Sequence, residues 1–140
     1  LPLAIGRLAA TRAELRALAV RDVVVVDGGG AILVGRGAVP VALAIGAARV
    51  TVRGAYARGQ MDETLGDDMT IEVAAVAGAV ELSLRRALEL TPGEVLGLGR
   101  PLGGPIELRV GSRVIARGEL VDVDGELGVR IVEVTAAPTR

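Results

Sequence analysis

The sequence predicts a mainly β fold, in which two small β-rich domains intertwine as an intramolecular pseudo-dimer and each domain carries a short helix. An internal repeat is the first reason for this prediction. Residues 15–27 align with residues 87–99 at an offset of 72, and residues 41–54 align with residues 106–118 when one additional residue is allowed. Two matched segments in the same order indicate that one structural unit occurs twice.

The composition of the hydrophobic residues is the second reason. Hydrophobic residues make up 51% of the 140 residues but aromatic residues only 1%, so the core must be built from Val, Leu, Ile and Ala. Each small aliphatic side chain buries less area than an aromatic one, and burial stabilises by about 25 cal/mol per Å² of apolar surface. Many such residues must therefore be buried together, which two units with a shared core can achieve.

The periodicity of the second copy is the third reason, and it predicts the elements in chain order. Residues 70–82 are rich in β-branched and small apolar residues and predict a strand. Leucines separated by arginines predict one or two helical turns over residues 83–90, and Thr-Pro-Gly at 91–93 predicts a turn. Residues 94–98 predict a short strand, and residues 106–110 alternate apolar and charged side chains as a half-buried strand does.

The remainder of this copy predicts two hairpins. Gly-Ser at 111–112 and Asp-Gly at 124–125 are turn pairs, and the runs 113–123 and 127–134 beside them predict strands. The first copy shows the same order of elements more faintly, with predicted loop regions at residues 27–30 and 35–37.

These elements divide the chain into two domains. The first domain covers residues 1–58 and the second covers residues 70–135. Residues 59–69 join them as an acidic linker, and residues 136–140 form a frayed tail. The linker contains the carboxylates of Asp62, Glu63, Asp67 and Asp68. A solvated linker explains them better than a cation site does.

The segment from Asp122 to Glu126 reads DVDGE and admits two interpretations, a metal site or a hairpin turn. A calcium loop of the EF-hand type needs a glycine at its sixth position, a bidentate glutamate at its twelfth and flanking helices. Gly125 comes too early for that loop, and β-branched residues flank the segment. Asp-Gly is a preferred type I′ pair, since both central residues need positive φ. We predict the hairpin; a metal-binding or hydrolytic module based on Asp122, Asp124 and Glu126 is the rival from another class.

The residue types needed for catalysis are almost absent. The chain has no His, Cys or Lys, and Ser83 and Ser112 have no imidazole to act as a base. The glycines at 28–30 lack the lysine of a phosphate-binding loop and do not begin a dinucleotide fingerprint. We therefore expect no enzyme activity, no cofactor and no metal.

Charge and hydropathy argue against two further classes of function. The chain carries 16 basic and 17 acidic residues that are interspersed, so it lacks the basic face that nucleic acids require. Its longest uncharged run, residues 37–48, has 12 residues, whereas a membrane-spanning helix needs about 20 apolar residues. We expect neither nucleic-acid binding nor direct membrane insertion.

Exposed apolar residues are the remaining functional signal. Leu120 and Val121 follow each other on a predicted strand, so their side chains point to opposite faces and cannot both enter one core. Leu102 lies in a loop rich in Gly and Pro, where burial is difficult to arrange. Either the other domain covers these residues, or they form a docking patch for another protein.

The second copy resembles the SPOA (surface presentation of antigens) domain. The resemblance rests on residues 88–98, LELTPGEVLGL, and on residues 106–131, especially the motifs ARGELV and GVRI. The first copy resembles a more divergent domain of the same family through residues 15–27. The resemblance implies small β-rich domains that intertwine, either as homodimers or as a tandem SPOA1-SPOA2 pair in one chain.

The resemblance also implies a function. Tandem domains of this kind occur in type III secretion proteins of the SpaO/HrcQ/YscQ kind, which are non-enzymatic scaffolds of the C-ring, or sorting platform, at the cytoplasmic face of the bacterial inner membrane. They dock the stator-type regulator of the export ATPase and so contact the ATPase indirectly. The related alternative is a flagellar motor switch protein, since flagellar systems usually divide the two domains between separate chains.

Further partners and a site follow from the same resemblance. We expect self-association, either with a second copy or with a short second-domain product that begins at Met61 or Met69. A membrane-ring adaptor would bind a larger N-terminal domain that we expect to precede this chain. The predicted partner-binding residues are Leu102, Leu120, Val121 and Asp122. Asp122 stands where relatives commonly keep an apolar residue.

Overall fold

A computed structural model shows an antiparallel β protein with two short helices. It describes residues 1–27, 29–43, 46, 48–58, 70–98 and 104–135, so Leu102, the linker 59–69 and the tail 136–140 lie outside the described residues. The elements in chain order are β1 (Pro2–Thr11), α1 (Arg12–Arg16), β2 (Val23–Val25), β3 (Gly30–Val34), β4 (Gly37–Ala42), β5 (Arg49–Val52), β6 (Ala57–Arg58), β7 (Thr70–Ala79), α2 (Leu84–Leu88), β8 (Val95–Gly97), β9 (Pro105–Val110), β10 (Arg113–Val123) and β11 (Glu126–Val134). Neither helix of this described part is long and apolar enough to span a membrane.

The strands form one sheet in which the two copies exchange a strand. Within the described residues the order of neighbours is β2-β11-β10-β9-β7-β1-β3-β4-β5-β8, and β6 pairs with β4. The long strands β1 and β7, one from each copy, pair at the centre. β2 of the first copy pairs with β11 of the second, whereas β8 of the second copy pairs with β5 of the first. The predicted fold class, a mainly β pair of intertwined domains with one short helix each, is confirmed.

The helix and the turn predicted for the second copy are present. Ser83 caps α2, because its hydroxyl accepts a hydrogen bond from the Arg86 N–H at 3.1 Å. Thr11 caps α1 in the same way, by accepting from the Glu14 N–H at 3.1 Å. Gly93 has a φ of 96° in the predicted Thr-Pro-Gly turn, a backbone conformation that favours glycine.

One part of the predicted repeat alignment is wrong. The sheet order makes β3 and β4 equivalent to β9 and β10, because each pair follows its copy's central strand. Gly35 and Gly111, with φ of 57° and 62°, open the two-residue turns of these equivalent hairpins. Residues 31–42 therefore correspond to residues 107–119, with one additional residue in β10 at the register shift between Val114 and Ala116, and the alignment of 41–54 is not supported. Alternating aliphatic strands match one another in several registers, so the pattern alone could not distinguish them.

Backbone hydrogen bonds join the two copies at two equivalent places. The Ile131 N–H donates to the Asp22 carbonyl at 2.7 Å, and the Ile131 carbonyl accepts from the Arg21 N–H at 2.8 Å. Val52 makes the same two bonds with residues 93–94, at 2.7 Å and 2.8 Å. The offset of 72 in the first matched segment of the repeat is thereby confirmed.

The core is aliphatic and draws on both copies. Its largest side chains with less than 2% exposure are Leu3, Ile5, Ile32, Val39, Val41, Val50 and Val52 from the first copy and Leu90, Ile106, Leu108, Ile115 and Ile131 from the second. No polar or charged residue is buried within the described part of the chain. A shared core explains how a chain with almost no aromatic residues encloses enough apolar surface.

β2 also reaches back to β1, so the sheet closes on itself around the second copy. Arg7 and Asp27 exchange both backbone hydrogen bonds, at 3.2 Å and 2.8 Å. Gly6 permits this approach, because a side chain there would collide with the Asp27 carbonyl. The strands β2, β11, β10, β9, β7 and β1 thus form a closed circuit with an inner face toward the core and an outer face toward solvent.

Candidate docking face

Outward side chains of β2, β11 and β10 form a small lattice on the closed circuit. Directly paired residues share a face, so each row of the lattice takes one residue from each strand. The rows are Val23-Arg130-Glu119, Val25-Gly128-Val121 and Asp27-Glu126-Val123. Asp27 follows β2, and the Val26 N–H that donates to the Leu127 carbonyl at 2.9 Å keeps the register that places Asp27 beside Glu126.

Four valines make the middle of this lattice apolar. Val23 and Val25 are each 46% exposed, and Val121 and Val123 are half-buried. We call the surface formed by these four valines around Gly128 the outer valine face. Two valines come from each copy, so the face exists only because β2 crosses to β11.

Gly128 allows the valines to meet. A Cβ atom at this position would lie 2.8 Å from Val123 Cγ2 and 3.3 Å from both Val121 Cγ2 and Val23 Cγ1. Carbon atoms in favourable contact are about 3.5 to 4.0 Å apart, so the valine methyl groups occupy the space that a side chain would need. The glycine of the GVRI motif therefore has a packing role on the outer surface.

Charged residues border the outer valine face on both sides. Arg130 and Glu119 form an ion pair in one outer row of the lattice. Glu126 and Asp27 lie in the opposite outer row, and neither takes part in an ion pair among the described residues. Asp124 adds an exposed carboxylate in the adjacent turn. Arg7 pairs directly with Asp27 and so shares this side, where its guanidinium forms an ion pair with Glu72 at 3.5 Å. The surface is thus apolar in the middle, charge-balanced on one side and carries more acidic than basic groups on the other.

The hairpin predicted between β10 and β11 is confirmed. Asp124 and Gly125 both have positive φ, 52° and 88°, and Val123 pairs with Glu126 across them. Asp122 Oδ1 accepts a hydrogen bond from the Gly125 N–H at 2.7 Å, so this carboxylate stabilises the turn. Among the residues that the structure describes, no three His, Cys, Asp or Glu side chains are grouped as a metal site requires.

The predicted partner-binding residues are divided between the two faces of the sheet. Leu120 is half-buried and packs against the core, whereas Val121 lies in the outer valine face. The predicted opposition of these two side chains is confirmed. Asp122 is exposed beside the turn, and Leu102 lies outside the described residues. Whether these residues bind a partner stays a prediction.

Sequence patterns did not indicate Val23, Val25, Val123 or Gly128 as members of this surface. Strand alternation could have placed Val123 on the same side as Val121. No comparable sequence pattern marked Val23 and Val25 of β2, because β11, the strand with which β2 pairs, belongs to the other copy. Strand exchange, rather than any local motif, brings these residues together.

The equivalent surface of the first copy is polar. There β8 pairs with β5, and the outward residues are Val95 and Gly97 on β8 and Arg49 and Thr51 on β5. Val95 is 55% exposed, but the other three positions carry no large apolar side chain. Among the residues that the structure describes, the two equivalent surfaces therefore differ chemically, and the valine face is the one built on β11.

One carboxylate away from this face has a strongly lowered pKa. The Arg86 guanidinium donates a hydrogen bond to Glu94, and the Thr91 N–H donates another at 2.6 Å. These bonds lower the pKa of Glu94 to about 2, since they favour its charged form. The contact ties α2 to the start of β8, the strand that crosses to the first copy.

Comparison with known proteins identifies the family of the second copy. A family model described as the type III flagellar switch regulator (C-ring) FliN C-terminal domain matches residues 66–136. The flagellar motor switch protein FliN of Caulobacter vibrioides is 37% identical over 78 residues, which cover 52% of this chain and 71% of that protein. The type III secretion protein HrcQb of Pseudomonas syringae pv. tomato is 38% identical over 72 residues, which cover 51% of this chain and 53% of that protein.

A more distant relative is the flagellar motor switch phosphatase FliY of Bacillus subtilis, which is 27% identical over 73 residues, but the match covers only 19% of that protein. The matched segment holds Val121, Val123 and Gly128, whereas Val23 and Val25 precede it. Because the family model matches half of the chain and the Caulobacter protein is aligned over more than two thirds of its length, the chain belongs to the SPOA-type family of the FliN C-terminal domain.

Proposed function

We propose that the chain is a non-enzymatic structural scaffold of a type III secretion C-ring, or sorting platform, which docks the stator-type regulator of the export ATPase. The outer valine face carries this proposal, since a contiguous exposed apolar surface on a small protein marks a site of protein association. Its second-copy half lies within the segment matched by a family described as a C-ring switch regulator.

The duplication supports the secretion form of this function. One chain supplies both halves of the intertwined unit, as the resemblance implies for the tandem SpaO/HrcQ/YscQ kind. A relative named as a type III secretion protein, HrcQb, is 38% identical to the second copy. The flagellar switch is the second candidate, and the 37% identity to a protein named FliN favours it.

The absence of catalytic residue types supports the scaffold role. The whole sequence lacks His, Cys and Lys, so the usual bases and activated nucleophiles are missing. The printed name of FliY includes a phosphatase activity, but this chain matches only 19% of that protein. We therefore assign no reaction to the chain.

The proposed organisation has two domains, residues 1–58 and 70–135, joined by the linker 59–69. Reciprocal strand exchange supports it, since each domain completes the sheet of the other. The export ATPase would be reached indirectly through its regulator, at the cytoplasmic face of the bacterial inner membrane. Self-association and a membrane-ring adaptor are further proposed contacts of the whole protein.

In this proposal Val121 contacts the partner directly, since its side chain lies in the outer valine face. Asp122 would shape the adjacent turn, because its carboxylate accepts the Gly125 N–H. Leu120 would support the strand from the core side. Leu102 belongs to the same proposed surface by family resemblance alone.

A pull-down tests the proposed function. The tagged chain and a Val121→Asp variant are incubated with lysate of the bacterium that encodes the chain, and bound proteins are identified by mass spectrometry. We expect the unmodified chain to recover an export ATPase with its regulator, and the variant to lose both. A Thr51→Asp variant is the matched control, since Thr51 is an exposed strand residue on the polar equivalent surface.

The set of proteins recovered in the pull-down distinguishes the secretion scaffold from the flagellar switch. Flagellar motor proteins in place of the secretion ATPase would favour the switch function. Recovery of neither set by the unmodified chain would contradict the C-ring scaffold. Equal recovery by the unmodified chain and the Val121→Asp variant would place the docking surface elsewhere.

A further inference from the structure

We propose that the first copy binds an acidic segment of a partner protein through three exposed arginines, Arg49, Arg53 and Arg58, which we call the arginine strip. This surface belongs to the first copy and is separate from the outer valine face, so the proposal goes beyond the scaffold function. Three observations carry it. The strip has no carboxylate to neutralise it, the equivalent row of the second copy neutralises its own charges, and the three arginines follow one line across small side chains.

The arginine strip lies in the longest stretch of the chain without a carboxylate. Residues 28–61 contain no Asp or Glu, and all of their charged residues are arginines. The three arginines of the strip form no ion pair among the described residues. Glu94 precedes the neighbouring strand β8, but its carboxylate already accepts hydrogen bonds from the Arg86 guanidinium and the Thr91 N–H. The described part of the chain therefore leaves the strip positively charged.

The equivalent row of the second copy neutralises its own charges. Its members, one from each of β9, β10 and β11, are Glu107, Arg117 and Glu133. Arg117 forms ion pairs with both carboxylates, at 3.7 Å to Glu107 and 2.9 Å to Glu133. The corresponding residues in the first copy are Ala31, Pro40 and Arg53. Arg53 thus takes the place of Glu133, and its neighbours in the row carry no charge.

The three arginines follow one line along the sheet. Arg49 and Arg53 are four residues apart on the exposed side of β5, which is about 13 Å at about 3.3 Å per residue. The Arg53 N–H donates to the Pro40 carbonyl at 2.8 Å, and Arg58 pairs with Gly37, about 10 Å further along β4.

The side chains beside this line are small. Gly97 pairs with Arg49, and Ala42 pairs with Thr51 between the two arginines of β5. Neither Gly97 nor Ala42 can cover a guanidinium group, so the arginines stay accessible. An extended segment of about seven residues, which spans about 23 Å, can therefore reach all three arginines.

An acidic protein segment fits the strip better than other anions do. A guanidinium group binds a carboxylate through two parallel hydrogen bonds. Anionic bilayers are recognised by clusters of about four to eight basic residues, and duplex nucleic acids by about six or more phosphate contacts. The strip offers three arginines, and the whole chain has a net charge of −1, so both of these larger polyanions are repelled by the rest of the chain.

Two synthetic peptides test the proposal on the full chain. In one peptide Glu alternates with Ser, and in the other Gln replaces every Glu. Fluorescence anisotropy measures the dissociation constant of each peptide. We expect the Glu peptide to bind one per chain and about tenfold more tightly than the Gln peptide. The difference should shrink as the salt concentration rises, because salt screens exposed charges.

Single substitutions locate the binding. Arg49→Gln and Arg53→Gln should each weaken the Glu peptide by about threefold, as suits one exposed ion pair, and the double variant should weaken it by about tenfold. Arg16→Gln is the matched control, since it removes the same charge from an exposed arginine on α1 and should leave binding unchanged. Circular dichroism verifies that each variant is folded.

Several results would overturn the proposal. Equal affinity for the two peptides, or an equal loss in Arg16→Gln and Arg53→Gln, would remove the site. Sedimentation of the chain with phosphatidylglycerol vesicles, abolished in the double variant, would make a lipid surface the occupant. The linker supplies the last alternative, because its sequence carries four carboxylates. If changing Asp62, Glu63, Asp67 and Asp68 to their amides tightened the Glu peptide by about tenfold or more, the occupant would be the chain's own linker.

The proposed function can fail separately from the arginine strip. Val121→Asp alters the outer valine face and should leave binding of the Glu peptide unchanged. Thr51→Asp places a carboxylate between Arg49 and Arg53, so it should weaken the Glu peptide while the chain still recovers C-ring proteins from lysate. Binding of the Glu peptide without recovery of C-ring proteins would reject the function and keep the strip, whereas recovery without peptide binding would do the reverse.

Discussion

Arg21 is the residue at which the duplication can be tested most directly. It lies in the left-handed region with φ of 82°, and Gly93 occupies the equivalent position with φ of 96°. Each residue donates its N–H across the copies at 2.8 Å, so both backbones must hold this conformation. Arg21→Gly should therefore stabilise the protein, and Gly93→Ala should destabilise it for the same reason.

The magnitude follows from two opposing terms. The left-handed conformation costs a residue with a Cβ atom about 1 to 2 kcal/mol. Substitution by glycine removes this cost but also lowers stability, because the greater conformational freedom of glycine in the unfolded chain costs about 0.5 to 1 kcal/mol on folding. Arg21→Gly should raise the free energy of unfolding by about 0.5 to 1 kcal/mol, which raises Tm by about 2 to 4 °C for a chain of this size. Gly93→Ala should lower Tm by a similar amount, since no heavy atom lies within 4 Å of the added Cβ and only the backbone is strained.

Thermal unfolding followed by circular dichroism measures both variants against the unmodified chain. Arg21→Ala is the control, because it removes the guanidinium and keeps the Cβ atom, so its Tm should not rise. A lower Tm for Arg21→Gly, or an unchanged Tm for Gly93→Ala, would refute the reasoning. A rise for Arg21→Ala equal to that of Arg21→Gly would assign the effect to charge instead of backbone conformation.

Three further predictions concern the sheet faces, the pH dependence and the shared core. Leu120→Asp should lower the free energy of unfolding by about 2 kcal/mol, because it places a charge against the core. Val121→Asp should change the free energy of unfolding by less than about 0.5 kcal/mol, because its side chain lies on the outer face. Equal decreases for the two variants in chemical denaturation would contradict the assignment of the two faces. Hydrogen bonds from Arg86 and Thr91 lower the Glu94 pKa from 4.5 to about 2, so their stabilisation is complete above pH 4.5 and is lost as the pH falls toward 2. Glu94→Gln should therefore flatten the dependence of Tm on pH in this range, and parallel curves for the two proteins would count against the contact. A fragment of residues 70–135 lacks β1 and β2 and should dimerise to replace them, and light scattering that finds a stable monomer would disprove the need for exchange.

Several parts of the fold could be predicted because they depend on neighbouring residues. The Asp124-Gly125 turn follows from the positive φ that both residues adopt, and α2 follows from its leucine spacing and the Ser83 cap. The opposition of Leu120 and Val121 follows from strand alternation. The alignment of residues 41–54 failed because it matched β4 and β5 with β9 and β10, one strand too far along the sheet, and successive alternating aliphatic strands present the same pattern.

The candidate site could be predicted only in part. Val121 was identified, because a motif of the family resemblance and the strand pattern both pointed to it. Val25 was not, because its place beside Gly128 depends on a strand from the other copy. Glu126 was weighed as a possible metal ligand, and its position on the border of an apolar face depends on the same pairing.

The sequence by itself determined the fold class, the duplication, the hairpin turns and the family, because these depend on local conformational preference, on periodicity and on motifs within one copy. Only the tertiary structure decided which strands lie side by side. β2 leaves its own copy and joins β11, and this exchange makes an outer surface that neither copy has alone. Pairing between distant strands depends on burying the inner faces of both strands together. The free energy of that burial cannot be assigned to any single segment of the sequence.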